Sequence, residues 1–162
     1  MPSTDGLARR NIFRRAGSNA VVRPPWLVNP SSITDDCTRC GHCIAACPEK
    51  ILISGDGGFP EVDFNVGECT LCAQCTSDCE VGLFFAAPHN PLKAFGHRAK
   101  ISESCLTLLG VMCRSCEDSC EPRAIRFTPT LAAVARPQLN IDACTGCGAC
   151  INPCPENAIS MV

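Results

Sequence analysis

Sixteen of the 162 residues are cysteine, and they fall into four groups of four with none left over. Three groups share the spacing C-x2-C-x2-C-x3-C: Cys37, Cys40, Cys43, Cys47; Cys69, Cys72, Cys75, Cys79; and Cys144, Cys147, Cys150, Cys154. The fourth, Cys105, Cys113, Cys116, Cys120, stretches its first gap to seven residues. Three cysteines spaced three apart can turn inward from one curled loop onto three corners of a cube. The fourth leaves with the outgoing chain and commonly serves the neighbouring cube of a pair. The spacing therefore predicts four [4Fe–4S] clusters with exchanged fourth ligands. The first cluster takes Cys37, Cys40, Cys43 and Cys79, and the second takes Cys69, Cys72, Cys75 and Cys47. The third takes Cys105, Cys113, Cys116 and Cys154, and the fourth takes Cys144, Cys147, Cys150 and Cys120.

Two other uses of cysteine fit less well. A disulfide scaffold suits a short secreted chain of this cysteine density, but no secretory apolar region is present, and cysteines three apart in triplets bridge poorly. Zinc sites pair two C-x2-C units, and a third cysteine three residues on, repeated through the groups, has no place in them. Gly41, Ala73, Gly146 and Gly148 lie among the ligands, where small residues allow backbone to approach a cluster closely.

The rest of the composition is thin. Apolar residues are 46% of the chain, but only about 36% once cysteine is set aside; tyrosine is absent and tryptophan occurs once. Metal binding must then supply much of the folding free energy, and the metal-free chain is expected to be largely unfolded. The formal charge of −2 divides unevenly: residues 1–32 hold Arg9, Arg10, Arg14, Arg15 and Arg23 against Asp5, a net +4, leaving −6 on residues 33–162. An acidic body of this kind suits docking on basic patches of partner proteins and repels phosphate, which excludes nucleic acid as a partner.

The chain repeats itself. Similar tails, apolar toward their ends, follow each fourth cysteine, at Pro48–Ile53, Glu80–Phe85, Glu121–Phe127 and Pro155–Ser160; alternating runs at Pro60–Asn65 and Pro137–Asp142 precede the second and last groups. Gly55-Asp56-Gly57-Gly58 supplies a hairpin turn. The predicted fold is α+β: two tandem bacterial-type 2[4Fe–4S] ferredoxin modules of short helical turns and small hairpins, at residues 33–88 and 101–162. A linker at 89–100 carries no regular element, and a basic N-terminal extension covers 1–32. Leu106–Met112, inside the stretched gap, are expected to fold over the third cluster and shield it. His42 reads as a solvent-facing filler, and His89 and His97 as solvated linker residues. In the extension, Thr4–Arg15 reads as a short basic helix, and Trp26 as an apolar anchor for a partner.

Ala8-Arg9-Arg10-Asn11-Ile12-Phe13-Arg14-Arg15 has the look of a twin-arginine export signal, yet no apolar stretch of 7–15 residues follows, and no run approaches a membrane span. The expectation is a cytoplasmic protein. With all sixteen cysteines committed, no iron is left open to substrate, and no Gly-rich nucleotide fingerprint precedes a helix; the chain is expected not to be an enzyme.

The arginine-rich start, Arg23-Pro24-Pro25-Trp26, Gly57-Gly58-Phe59-Pro60, the seven-residue gap, Asp118-Ser119-Cys120-Glu121-Pro122, Phe127-Thr128-Pro129 and Cys144-Thr145-Gly146-Cys147-Gly148-Ala149-Cys150 together resemble the NapF-type ferredoxins encoded with periplasmic nitrate reductases. The resemblance implies a cytoplasmic accessory protein with four [4Fe–4S] clusters. It also implies that the protein meets the catalytic subunit of that reductase before export and helps it mature, by supplying electrons or by helping to load its cluster. The alternatives are a general ferredoxin-type electron carrier and an iron–sulfur subunit of another redox complex.

Overall fold

The computed structural model describes residues 21–87, 89–129 and 134–162. The basic segment Thr4–Arg15, with the arginines at 9, 10, 14 and 15, lies outside the described residues.

The described chain is a set of short elements on long loops. They run α1 (Ile33–Asp36), α2 (His42–Ala46), β1 (Leu52–Ser54), β2 (Pro60–Val62), α3 (Gln74–Ser77), β3 (Ala99–Ile101), α4 (Ser115–Asp118), β4 (Ile125–Thr128), β5 (Arg136–Leu139) and β6 (Ile159–Met161). The strands form three antiparallel pairs, β1 with β2, β4 with β5, and β3 with β6. In the first hairpin Leu52 faces Val62 and Ser54 faces Pro60; its turn uses Gly57 and Gly58 at φ 64° and 81°, the left-handed region that glycine enters without steric cost. In the second, Ile125 faces Leu139 and Thr128 faces Arg136. Ile125 and Phe127 are buried while Arg126 between them is exposed, the two-residue alternation of a strand with one wet face.

Each module is closed by a strand that enters ahead of its first cysteine and pairs with the tail after its last. In the second module this is β3 on β6, with Ala99 opposite Met161 and Ile101 opposite Ile159. In the first it shrinks to one bridge, Leu27 to Phe84, held by Val28 N–H to Leu83 O at 2.9 Å and Phe85 N–H to Trp26 O at 2.8 Å.

These closures correct two sequence expectations. Trp26 is not a free anchor: it is 3% exposed, its Nε1–H donates to Asn90 O at 3.0 Å, and its ring packs on His89 with centroids 4.8 Å apart. A lone tryptophan in a chain with so few large apolar residues goes to the core because nothing else of that size can fill it. Arg23 is likewise engaged in the first module, bonded to Pro60 O and paired with Glu61 at 3.6 Å. The segment 89–100 is not featureless: it holds a helical turn at Pro91–Lys93 and opens β3 at Ala99, because the second module needs that strand to close.

The core is one connected cluster spanning both modules, from Trp26, Ile51, Leu52, Val62 and Phe64 to Phe95, Ala99, Ile125, Phe127, Ile159 and Met161, with cysteines set among them.

Candidate metal centres

Backbone conformation shapes the ligand loops. In the first two groups the residues on either side of the second cysteine are left-handed: Arg39 and Gly41, Leu71 and Ala73. In the last group the same positions are Gly146 and Gly148. The left-handed steps curl the loop, so that in the first two groups three successive cysteines line one hollow. Four further left-handed residues stand three after each fourth cysteine: Lys50, Gly82, Arg123 and Asn157. The non-glycine ones each forgo about 1–2 kcal/mol. Where the next amide's bond is seen, the step aims it at sulfur: Ala124 N–H donates to Cys120 Sγ at 3.2 Å and Ala158 N–H to Cys154 Sγ at 3.3 Å. This repeat escapes inspection of the sequence because Lys, Gly, Arg and Asn share no side-chain chemistry.

The fold gathers cysteines from different groups. Cys37, Cys40, Cys43 and Cys79 line a hollow walled by Ile33, Ile44, Leu83 and Phe84. Cys47, Cys69, Cys72 and Cys75 line another beside Trp26, Ile51 and Leu52. Cys105, Cys113, Cys116 and Cys154 line a third beside Ile101, Leu106 and Phe127. Cys147, Cys144 and Cys120 all stand close enough to Cys150 for their charge to act on its thiol. Among the described residues no three His, Cys, Asp or Glu side chains close on a point as the ligands of a single ion do; the thiols stand around hollows instead.

The electrostatics of these hollows call for cations. Burial pushes the thiols of Cys75 and Cys150 up to about 12, and those of Cys43, Cys69 and Cys116 up to about 11. Neighbouring cysteines of the same quartet push further in the same direction. Four thiolates in an apolar pocket are untenable alone and become tenable around iron, whose charge outweighs the desolvation. Hydroxyls complete the fit. Thr107 Oγ1 lies 3.1 Å from Cys105 Sγ. Thr145 Oγ1, between Cys144 and Gly146, is buried with no hydrogen-bond partner, and an inorganic sulfide or ligand sulfur would accept its proton.

The remaining sequence candidates fall differently. Leu108, Leu109, Val111 and Met112 do not shield the third quartet: they are 39%, 66%, 51% and 79% exposed. The seven-residue gap is taken up by tight turns, Leu108 N–H to Cys105 O at 2.9 Å and Val111 N–H to Leu106 O at 2.8 Å, which bring Leu106 to the hollow, bury Thr107 and throw the four larger apolar side chains outward. His97 is not solvated: its Nε2 pairs with Gly146 O at 3.0 Å, and burial lowers its pKa. His89 is half-buried between Trp26 and Phe85 O, the latter at 3.0 Å. His42 is half-exposed, 3.6 Å from Glu80. Thr107, Thr145 and His97 carried no signal a sequence reading could weigh, since single hydroxyls and histidines are common in loops.

Residues 29–80 and residues 111–159 each match the family model of a 4Fe-4S dicluster domain. The ferredoxin-type protein NapF of Haemophilus influenzae is 48% identical over 140 residues, 86% of this chain and 78% of its own length. That of Escherichia coli strain K12 is 44% identical over 156 residues, 94% of this chain and 93% of its own. This chain belongs to the NapF family of ferredoxin-type proteins. It is therefore an iron–sulfur protein of the electron-transferring ferredoxin class, built as two tandem dicluster modules. The ferredoxin-type protein NapG of Escherichia coli strain K12 is more distant, 29% identical over 155 residues, 85% of this chain and 67% of its own length. Among the described residues no helix is long and apolar enough to cross a membrane.

Proposed function

We propose that this NapF-family protein carries four [4Fe–4S] clusters, liganded as the sequence spacing predicts, and serves the catalytic subunit of a periplasmic nitrate reductase as a cytoplasmic accessory. The observation that carries the cluster assignment is the convergence of cysteines from two groups on three shared apolar hollows. A fourth cysteine from the partner group is what a paired-cluster module requires. The clusters supply one-electron redox chemistry. The chain's own residues hold them, exclude water through Trp26, Ile33, Leu106 and Phe127, and aim amides and hydroxyls at sulfur. With every cysteine occupied, no iron is open to a substrate, so the protein passes electrons to another protein's centre and does no chemistry of its own. Its partner follows from the family: the NapF proteins take their name from the periplasmic nitrate reductase system. The acidic charge of residues 33–162 supports docking on a basic face of that partner.

Anaerobic purification followed by iron and sulfide analysis tests the first part, with about sixteen of each per chain expected; half that content would leave only one filled module. Capture of the unexported catalytic subunit by the intact, cluster-loaded protein tests the second. Deletion should cost active periplasmic enzyme while quinol supply stays normal. Normal enzyme activity in the deletion strain would leave a general electron carrier.

A further inference from the structure

The two modules meet at their metal sites. Cys69, a ligand of the second quartet, donates its backbone N–H to the carbonyl of Cys147, a ligand of the fourth, at 2.8 Å. Phe64 lies against the same fourth-quartet loop so closely that a Cβ on Gly148 would stand 2.1 Å from its ring. Phe64 in turn contacts Phe95 and His97, with ring centroids 6.1 and 6.0 Å away, and His97 bonds to Gly146. The loop that carries Cys144, Cys147 and Cys150 is thus clasped by residues from the first module and from the connector. Within each module the quartets are neighbours by construction, because each borrows its last cysteine from the other's group.

We infer that the four clusters stand in the order first, second, fourth, third, and that the Cys69–Cys147 contact is the junction through which the modules exchange electrons. This order crosses the sequence order, because the chain enters the second module through the quartet farther from the junction. An electron passing between modules oxidises the second cluster by one and reduces the fourth by one, or the reverse, with no bond or proton moved; donor and acceptor are one-electron centres of other proteins.

The inference rests on the four-cluster reading, and one experiment separates the two. In full-length protein, the double variant Cys37→Ala/Cys40→Ala combined with Cys105→Ala/Cys113→Ala leaves the second and fourth clusters. Cys69→Ala/Cys72→Ala combined with Cys144→Ala/Cys147→Ala leaves the first and third. After full reduction, EPR of the first protein should show signals split and broadened by spin–spin interaction, and EPR of the second should show two magnetically isolated centres. The opposite pattern, with iron content confirmed, overturns the order alone. Unaltered protein with far fewer than about sixteen iron overturns the four-cluster reading and the order with it. If the variants fail to load, hydrogen exchange on the unaltered loaded protein decides. The Cys69 amide should exchange far more slowly than exposed loop amides, and exchange at their rate refutes the junction.

Discussion

Replacing Trp26 with alanine separates a core residue from a partner anchor, because the two readings predict opposite outcomes. The indole is 3% exposed, lines the hollow of the second quartet, and donates to Asn90 O at 3.0 Å. Its backbone is pinned on both sides, with Trp26 N–H to Ala94 O at 2.6 Å and Phe85 N–H to Trp26 O at 2.8 Å, which holds it at φ 58°. Truncating a buried aromatic of this size costs about 3–5 kcal/mol. Unfolding of a cluster protein is not a reversible two-state process, so the loss is best read as a rate. If half of it appears in the barrier to opening, iron release to a chelator under anaerobic conditions speeds up about ten- to sixty-fold. The second cluster should go first, since the truncation opens its wall. Trp26→Phe keeps most of the packing and forgoes the indole hydrogen bond, worth about 1 kcal/mol, so on the same partition its release rate should rise only about two- to three-fold. The assay is the decay of the cluster's visible absorbance with excess chelator, with iron content measured at the start. A Trp26→Ala protein that keeps its iron as long as the parent, while failing to bind the reductase subunit, would refute the packing argument and restore tryptophan as a surface anchor.

Thr145→Val removes the buried, unpartnered hydroxyl at constant shape; if its bond to cluster sulfur strengthens by about 1 kcal/mol on reduction, the fourth cluster's potential falls by about 40 mV in an EPR-monitored titration, and Thr145→Ser holds it near the parent value. Gly148→Ala forces a Cβ into Phe64 at a φ of +84°, whereas Gly41→Ala meets nothing within 4 Å at a φ of +80°. The two share the left-handed penalty of about 1–2 kcal/mol, but only the first adds overpacking of about 1–3 kcal/mol, so iron analysis should show Gly148→Ala short of one cluster and Gly41→Ala fully loaded. The double variant Leu109→Ser/Met112→Ser should leave iron retention unchanged, within about 0.5 kcal/mol, because both side chains are exposed; Leu106→Ala, which opens the third hollow, should hasten iron loss from that site.

What could be read from the sequence was whatever local spacing dictates. The hairpin runs at Leu52–Ser54, Pro60–Val62, Ile125–Thr128 and Arg136–Leu139 carry their own apolar alternation or turn glycines, and the cysteine groups carry their own geometry. What stayed hidden depends on partners far along the chain. β3 has no pattern of its own over three residues; it is a strand because β6, sixty residues later, offers it an edge. His97 looks like a linker residue until Gly146 O and the rings of Phe64 and Phe95 close around it. The stretched third group shows the same limit from the other side. An apolar loop beside a metal site reads as a shield, yet seven residues between two cysteines that line one hollow must double back on themselves. Hydrogen bonds from Leu108 and Val111 to Cys105 and Leu106 fix that reversal. A reversal so short turns only Leu106 and Thr107 inward, and that forces Leu109 and Met112 into water whatever their hydrophobicity.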